Sequence, residues 1–275
     1  MSDPGTETSR QATNVPGDTA RLSVVLITLN EEHTLARCLS RLDFASEIIV
    51  ADTGSTDGTL EVARRFTRHV VSVPWLGFGP TKQSALQYAT GRWVLSLDAD
   101  EVVDEVLAVA IRDAVQRDDP QVAAYRLNRR SNFLGTWMKH SGWYPDRIVR
   151  LGRRESLRFS DHPVHEHLQV TGRVLDLPGH LLHFTDPDWP HYLAKLRRYS
   201  QESARRLHRE GRRAHAFDLV VRPVYQLLRT YLFQAGFLDG RAGWLLACGS
   251  AFHVFSKYAH LWDLEQRQSG VHPHG

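Results

Sequence analysis

The chain has 275 residues, 42% hydrophobic and 24% charged, a composition that fits a packed soluble enzyme and excludes a disordered or fibrous chain. Its length suits one large α/β domain with at most a small appendage. Two cysteines far apart, Cys38 and Cys248, exclude a disulfide framework and a cysteine zinc site and point to a cytoplasmic chain, while the net charge of +3 is concentrated, His191 to Arg213 alone carrying +6.

Residues 1–20 are polar and rich in Gly, Pro, Ser and Thr, with no apolar stretch of the secretory kind, and are expected to form a disordered tail. From Leu22 the pattern alternates. Leu22–Leu29 reads as a buried strand and Glu31–Leu42 as a helix; Glu47–Ala51 is the next strand. The polar turn Asp52–Gly58 follows, with Ser55, Thr56 and Asp57 placed to cap a helix over Thr59–Thr67. Strand His69–Val73, a Gly-rich loop over Trp75–Pro80, helix Thr81–Ala89 and strand Arg92–Leu97 lead directly into Asp98-Ala99-Asp100-Glu101, and helix Asp104–Gln116 comes next.

This alternation predicts βαβ units and a mostly parallel sheet with helices on both faces. Ligands of such sheets bind at the carboxyl ends of the strands. Asn30-Glu31, Asp52 and the Asp98/Asp100 pair each follow a strand, so three polar clusters are expected to converge on one crevice. Beyond residue 120 the pattern changes: Val122–Asn132, Arg147–Leu151, Pro163–Val170 and Arg173–Leu177 read as extended segments, and from Trp189 the sequence is helical. The longest nearly apolar run, Ala242 to Phe255, falls short of the ~20 residues a spanning helix needs.

Two carboxylates two positions apart at a strand end suit a hard divalent cation shared with phosphate oxygens. Lys82, after the Gly-rich loop, is placed to meet a phosphate together with the backbone N–H groups of a helix start. Neither GxGxxG nor GxxxxGK[ST] occurs, which removes the main sequence support for dinucleotide dehydrogenases and P-loop NTPases.

The segments LSVVLITLNEE, EIIVADTGSTDGT and WVLSLDADE together resemble the three signatures of family 2 glycosyltransferases. WLGFGPTKQSAL, WYPDRIVRL, HPVHEHL, FLDGRAGWLLA and FSKYAHLW extend the resemblance to the WaaE/KdtX-type lipopolysaccharide core glucosyltransferases, over roughly Arg21 to Leu264. The resemblance implies a GT-A, Rossmann-like α/β domain over residues 21–185, a C-terminal helical region over 186–265 and a tail over 266–275. It implies that Thr28, Asn30 and Glu31 border the nucleotide, that Asp52 lies near the base and Asp98 near the ribose or phosphate, and that Asp100, with Asp98, holds Mg²⁺ or Mn²⁺. Where many members carry a second Asp after the first in this segment, Thr53 stands here.

The expected activity is inverting transfer of a hexose, glucose first, from a UDP-sugar to a lipopolysaccharide-core or other glycan or lipid-linked acceptor. Inversion requires a base for the acceptor hydroxyl, for which Glu166 is the first candidate and Asp146 the second. Two alternatives stand beside this one: a zinc hydrolase built on His162, His165 and His167, and a catalytically silent sugar-binding protein. The basic segment and the aromatic-rich helices after it lead to an expectation of peripheral contact with an anionic membrane, on the inner face of the plasma membrane. Nucleic acid is not an expected partner, because no binding motif accompanies the charge.

Overall fold

The structure is a computed structural model and describes residues 22–159 and 168–268. In chain order the first half runs β1 (Leu22–Thr28), α1 (Leu35–Leu39), β2 (Glu47–Asp52), α2 (Thr59–Arg64), β3 (His69–Ser72), α3 (Phe78–Leu86), β4 (Trp93–Asp98), β5 (Glu101–Val103) and α4 (Glu105–Arg117). β6 (Val122–Phe133), β7 (Thr136–Trp137), β8 (Asp146–Arg153), β9 (Leu157–Phe159), β10 (Leu168–Val170), β11 (Arg173–Asp176) and β12 (Leu181–Asp186) follow. Three long helices end the chain: α5 (Trp189–Arg209), α6 (Ala216–Leu228) and α7 (Gly240–Gln268), with a π turn over Arg229–Phe233 and a 3₁₀ turn over Gly236–Asp239 before the last.

The expected α/β class and both-faces arrangement are found. β3, β2, β1 and β4 form the parallel set. β1 is central in it and buried on both sides, which is why LSVVLIT is a continuous apolar run instead of an alternating one. One face of the sheet packs on α1, α2 and α4 through Leu35, Leu39, Ala63, Leu107 and Ile111; the other packs on α3 and the β9–β10 hairpin through Ala85, Leu86, Leu157 and Phe159.

The sheet does not stay parallel. Its order continues β4-β8-β6-β12-β5, with β8 antiparallel to both β4 and β6, and β5 antiparallel to β12. β4 ends at Asp98 and β5 begins at Glu101, so two residues join strands that three others separate in the sheet. A polypeptide of that length spans at most roughly 10 Å. The antiparallel half must therefore curl until its far edge returns beside the end of β4, and the Asp98–Glu101 segment is the seam.

Several boundaries differ from the sequence pattern for local reasons. The first helix keeps only Leu35–Leu39 of the predicted Glu31–Leu42, because Asn30, Glu31 and Glu32 donate their backbone N–H groups to side chains of the loop after β2. α3 starts at Phe78, three residues before the predicted Thr81, with Gly77 (φ 94°) before it. α4 follows its pattern closely, with Asp104 as N-cap accepting from Leu107 N at 2.8 Å and Leu107, Ile111 and Ala114 inward.

The helical region is fastened to the sheet domain by Asp239. Its carboxylate accepts from Lys139 N and His140 N, both at 3.0 Å, and from Ser141 Oγ at 2.9 Å, fixing the loop between β7 and β8. Beside it, a Cβ on Gly243 would lie 1.9 Å from the Gly236 carbonyl oxygen, a backbone atom that cannot swing aside. Gly243→Ala is expected to lower the unfolding free energy by about 1–3 kcal/mol or more through this overpacking; denaturant unfolding against wild type measures it, and an unchanged midpoint would refute the tight approach.

Candidate functional site

The loops after β1 and β2 are sewn together. Thr28 Oγ1 and Ser55 Oγ both donate to Asp52 Oδ1, and Gly54 N and Ser55 N donate to Oδ2, each at 2.9 Å. Burial alone would raise the pKa of Asp52, but these donors overcome it and hold the carboxyl low. Asp52 thus shapes the DTGST turn, in which Gly54 takes φ 112°. Asn30, at φ 57°, accepts from Thr56 N at 2.8 Å and presents its backbone N–H to Ser55 Oγ. Thr53 turns its hydroxyl back to the Thr28 carbonyl at 2.9 Å.

The end of β4 faces the same crevice. Glu31 has its pKa raised, mainly by burial and further by the carboxylates of Asp100, Asp98 and Asp57, with the Thr34 hydroxyl opposing. The clusters after β1 and β4 therefore lie within electrostatic reach of one another, as the strand order requires.

Asp98 and Asp100 are treated differently by their surroundings. Asp98 Oδ1 meets Lys82 Nζ at 2.7 Å and Oδ2 meets Arg150 Nη2 at 2.5 Å. The same Arg150 Nη2 reaches Glu101 Oε1 at 2.9 Å, Glu101 Oε2 accepts the Asp98 backbone N–H at 3.0 Å, and Arg129 lies 3.5 Å from Glu101 and 2.8 Å from Asp146. An alternating chain of charges, Lys82, Asp98, Arg150, Glu101, Arg129 and Asp146, thus crosses α3, β4, β8, β5 and β6. Burial works against the Asp98 anion, yet Arg150 and Lys82 hold its carboxyl far below the usual range.

Among the described residues, Asp100 has no such cation bonded to it. Its Oδ2 lies 3.2 Å from His183 Nε2, and its side chain keeps 27% of its surface exposed. Burial raises its pKa and His183, by hydrogen bond and by charge, brings it below the ordinary value. His183 Nδ1 is in turn 3.1 Å from Ser131 Oγ, so both ring nitrogens are oriented. A carboxylate and an imidazole side by side, both still partly exposed, are suitable donors for a divalent cation whose other ligands are phosphate oxygens and water. Asp98 is not placed for direct ligation as expected, since both its oxygens already face cations.

Lys82 also differs from expectation. It is only 3% exposed and lies in the second turn of α3, past the free N–H groups of the helix start, so its charge is spent on Asp98 and not on an open phosphate cradle. Asp146 lies at the start of β8 with Oδ2 held by Arg129. Glu166, with His162, His165 and His167, lies outside the described residues. No role was assigned from sequence to Arg150, Glu101 or His183, although the WYPDRIVRL and WVLSLDADE segments contain the first two.

Beyond His183 a cavity of about 590 Å³ opens between β6, β8 and β12 on one side and α5, α6 and α7 on the other, with Asp146, Asp186 and Tyr192 in its wall.

Against this geometry, the comparisons are consistent. The model of the family described as "Glycosyl transferase family 2" matches residues 23–173. The lipopolysaccharide core biosynthesis glycosyltransferase LpsC of Rhizobium meliloti is 29% identical over 249 residues, 88% of this chain and 92% of that protein. An uncharacterized glycosyltransferase, RP128, of Rickettsia prowazekii is 25% identical over 262 residues, 91% of this chain and 90% of its own. Among solved structures, a mannosyltransferase of Pyrobaculum calidifontis in complex with GDP-Man and Mn²⁺ superposes with a TM-score of 0.51 at 17% identity, covering 90% of this chain and 89% of that one, which shows a shared fold.

The charge chain can be tested by removing its centre. Arg150→Met leaves Asp98 and Glu101 without their shared cation and is expected to cost about 3–5 kcal/mol at neutral pH. Because pairing lowers the folded pKa of Asp98, its stabilisation is complete above the unfolded value near 4 and is lost as pH falls below it. The gap between wild type and Arg150→Met in urea unfolding should therefore shrink below about pH 4; a gap independent of pH would exclude Asp98 from the network's energetics.

Proposed function

The chain belongs to glycosyl transferase family 2, and from that premise we propose that it transfers a hexose, glucose first, from a UDP-sugar to a lipopolysaccharide-core or related lipid-linked glycan, with inversion. Membership of the family favours transfer over the zinc-hydrolase alternative, and the presence of Asp100 and Glu166 favours it over a silent sugar-binding protein. The observation that carries the proposal is the convergence of Glu31, Asp98 and Asp100 at the ends of β1 and β4, with Asp98 locked by cations and Asp100 open beside His183. The Rhizobium relative supports the acceptor class, and the mannosyltransferase complex supports a nucleotide-sugar donor with a divalent metal.

On this proposal the loop built by Thr28, Asn30 and Asp52 carries the nucleotide, and Lys82 acts through Asp98, fixing the carboxylate that borders the ribose or phosphate. Asp100 and His183 hold Mg²⁺ or Mn²⁺, which when bound neutralises charge on the departing diphosphate. Glu166 takes the proton of the attacking hydroxyl, with Asp146 as the second candidate; Asp146 borders the cavity from which an acceptor would approach.

Transfer from labelled UDP-glucose to the glycolipid fraction of cells lacking the gene, with and without EDTA, tests this directly. Chelation and Asp100→Ala should each abolish transfer while the variant stays folded; full activity in excess EDTA would remove the metal. Glu166→Gln should slow turnover on the order of 10²- to 10⁴-fold with donor affinity little changed, and a large loss in Asp146→Asn with a small one in Glu166→Gln would exchange the two assignments.

The same proposal puts the enzyme at a membrane surface, and the C-terminal helices support it. No helix among the described residues is long and apolar enough to cross a membrane. Yet α6 turns Phe217, Val220, Val221, Val224, Tyr225 and Leu228 outward, each 42–63% exposed, at the spacing of one helical stripe. Leu232, Phe233, Phe237 and Leu238 continue it through the π and 3₁₀ turns. An exposed apolar stripe of this length marks an interaction surface, and the neighbouring arginines from Arg205 to Arg213 select an anionic bilayer, each worth roughly 1 kcal/mol near such a surface. Binding to phosphatidylglycerol vesicles should exceed binding to phosphatidylcholine vesicles, weaken as salt rises and be lost in a Val220→Asp, Val224→Asp double variant. Equal sedimentation with both vesicle types would remove the basic segment from the contact.

A further inference from the structure

The wall of the cavity behind His183 includes Asp186, which is 2% exposed and whose Oδ1 has no hydrogen-bond partner among the described residues. The nearest nitrogens, Lys195 Nζ and His191 Nδ1, both stand 3.6 Å away, too far to donate, and Lys195 donates instead to Thr185 Oγ1 at 2.5 Å. A buried acceptor left unsatisfied costs roughly 1–3 kcal/mol, and more when charged, so it calls for a ligand or a strain to explain it.

Its position favours a ligand. The pairing of β12 with β6 shifts register between His183 and Asp186, and both residues line the same cavity although they are three apart on one strand. His183 is the shared wall, touching Asp100 on one side and the cavity on the other. At the rise of a strand, Asp186 lies at most about 10 Å farther along β12, on the far side of His183 from Asp100.

The wall also contains two aromatic side chains that are held still, Trp143 and Tyr192. Trp143 and Tyr192 each meet Phe133 edge-on, at 5.7 and 5.1 Å between ring centres. Tyr192 is pressed against α7 at Gly249, where a Cβ would come within 2.3 Å of its hydroxyl. Fixed aromatic faces beside a carboxylate that needs donors match the two sides of a pyranose, one of C–H groups and one of hydroxyls. The volume, about 590 Å³, is that of a small-ligand site.

We infer that this cavity is an acceptor subsite for a sugar ring adjoining the one that is glycosylated, with Asp186 accepting hydrogen bonds from its hydroxyls and Trp143 and Tyr192 packing against it. The inference rests on the transferase reading above and assigns the acceptor its side of the molecule.

Two measurements on the purified full chain test it. In the first, a mixture of methyl glucoside, methyl galactoside and methyl mannoside is observed by saturation-transfer NMR, which requires no turnover. At least one glycoside should receive saturation from wild type and lose it in Asp186→Asn and in Ser250→Trp, which fills the cavity from α7; no signal, or equal signal in all three proteins, overturns the subsite. In the second, Asp186→Asn should raise the KM for the glycolipid fraction about 10- to 100-fold, as expected for lost hydrogen bonds to a charged group, with UDP affinity equal to wild type. An unchanged KM, or acceptor and UDP affinity falling together as a merely structural defect would make them, rejects Asp186. If glycoside binding behaves as expected while wild type transfers nothing, the donor or acceptor class is wrong and the subsite stands.

Discussion

The structure depends on the pairing of Asp98 with Lys82 and Arg150. A carboxylate taken from water toward a protein interior is costly unless opposite charges and hydrogen bonds replace the solvent. Here the two cations come from opposite directions, one from α3 and one from β8, and the second is itself neutralised by Glu101 at the start of β5. The network therefore ties the parallel half of the sheet to the half that curls over it. It also divides the labour of the two aspartates: one is immobilised by ion pairs, and the other, oriented by His183, remains partly exposed.

Much of the parallel half was legible in the sequence because its signals are local. β1, β2 and β4 are short β-branched or apolar runs ending in polar residues, and the polar ends converge because parallel strands share a direction. The antiparallel half was less legible. β5 has three residues and β12 has six with mixed polarity, and no period reveals that they pair across nearly eighty positions. Glu101, Arg150 and His183 acquire their roles only through that pairing; in one dimension they are an acid beyond a DxD, an arginine in a strand and a histidine in an unremarked segment.

The helix boundaries carry the same lesson. The apolar residues of α1 fell where their spacing put them, but Asn30 to Glu32 gave up helical hydrogen bonds for a neighbouring loop 25 residues away. Lys82 read as a phosphate contact after the Gly-rich loop because nothing nearby announced Asp98, sixteen positions on. In the C-terminal region the amphipathic pattern was visible, but not which side faces outward: α6 places Gln226 toward the cavity and its apolar stripe toward solvent, the reverse of an ordinary surface helix. One helix is thus both a wall of the cavity and the face turned to the proposed bilayer.

The two-residue seam between β4 and β5 has a mechanical consequence. Many two-lobed enzymes admit substrate by hinging their lobes apart, which requires a few residues between them that can absorb a change of direction. Here Ala99 and Asp100 form a covalent strap across that division beside the β4–β8 pairing, and it is anchored at both ends by hydrogen-bonded strands and by one shared arginine. Opening at this point would tear the very carboxylate the chemistry uses out of position. The sheet must behave as a single rigid plate during turnover, so whatever movement admits and releases substrates belongs to loops and helices around its rim.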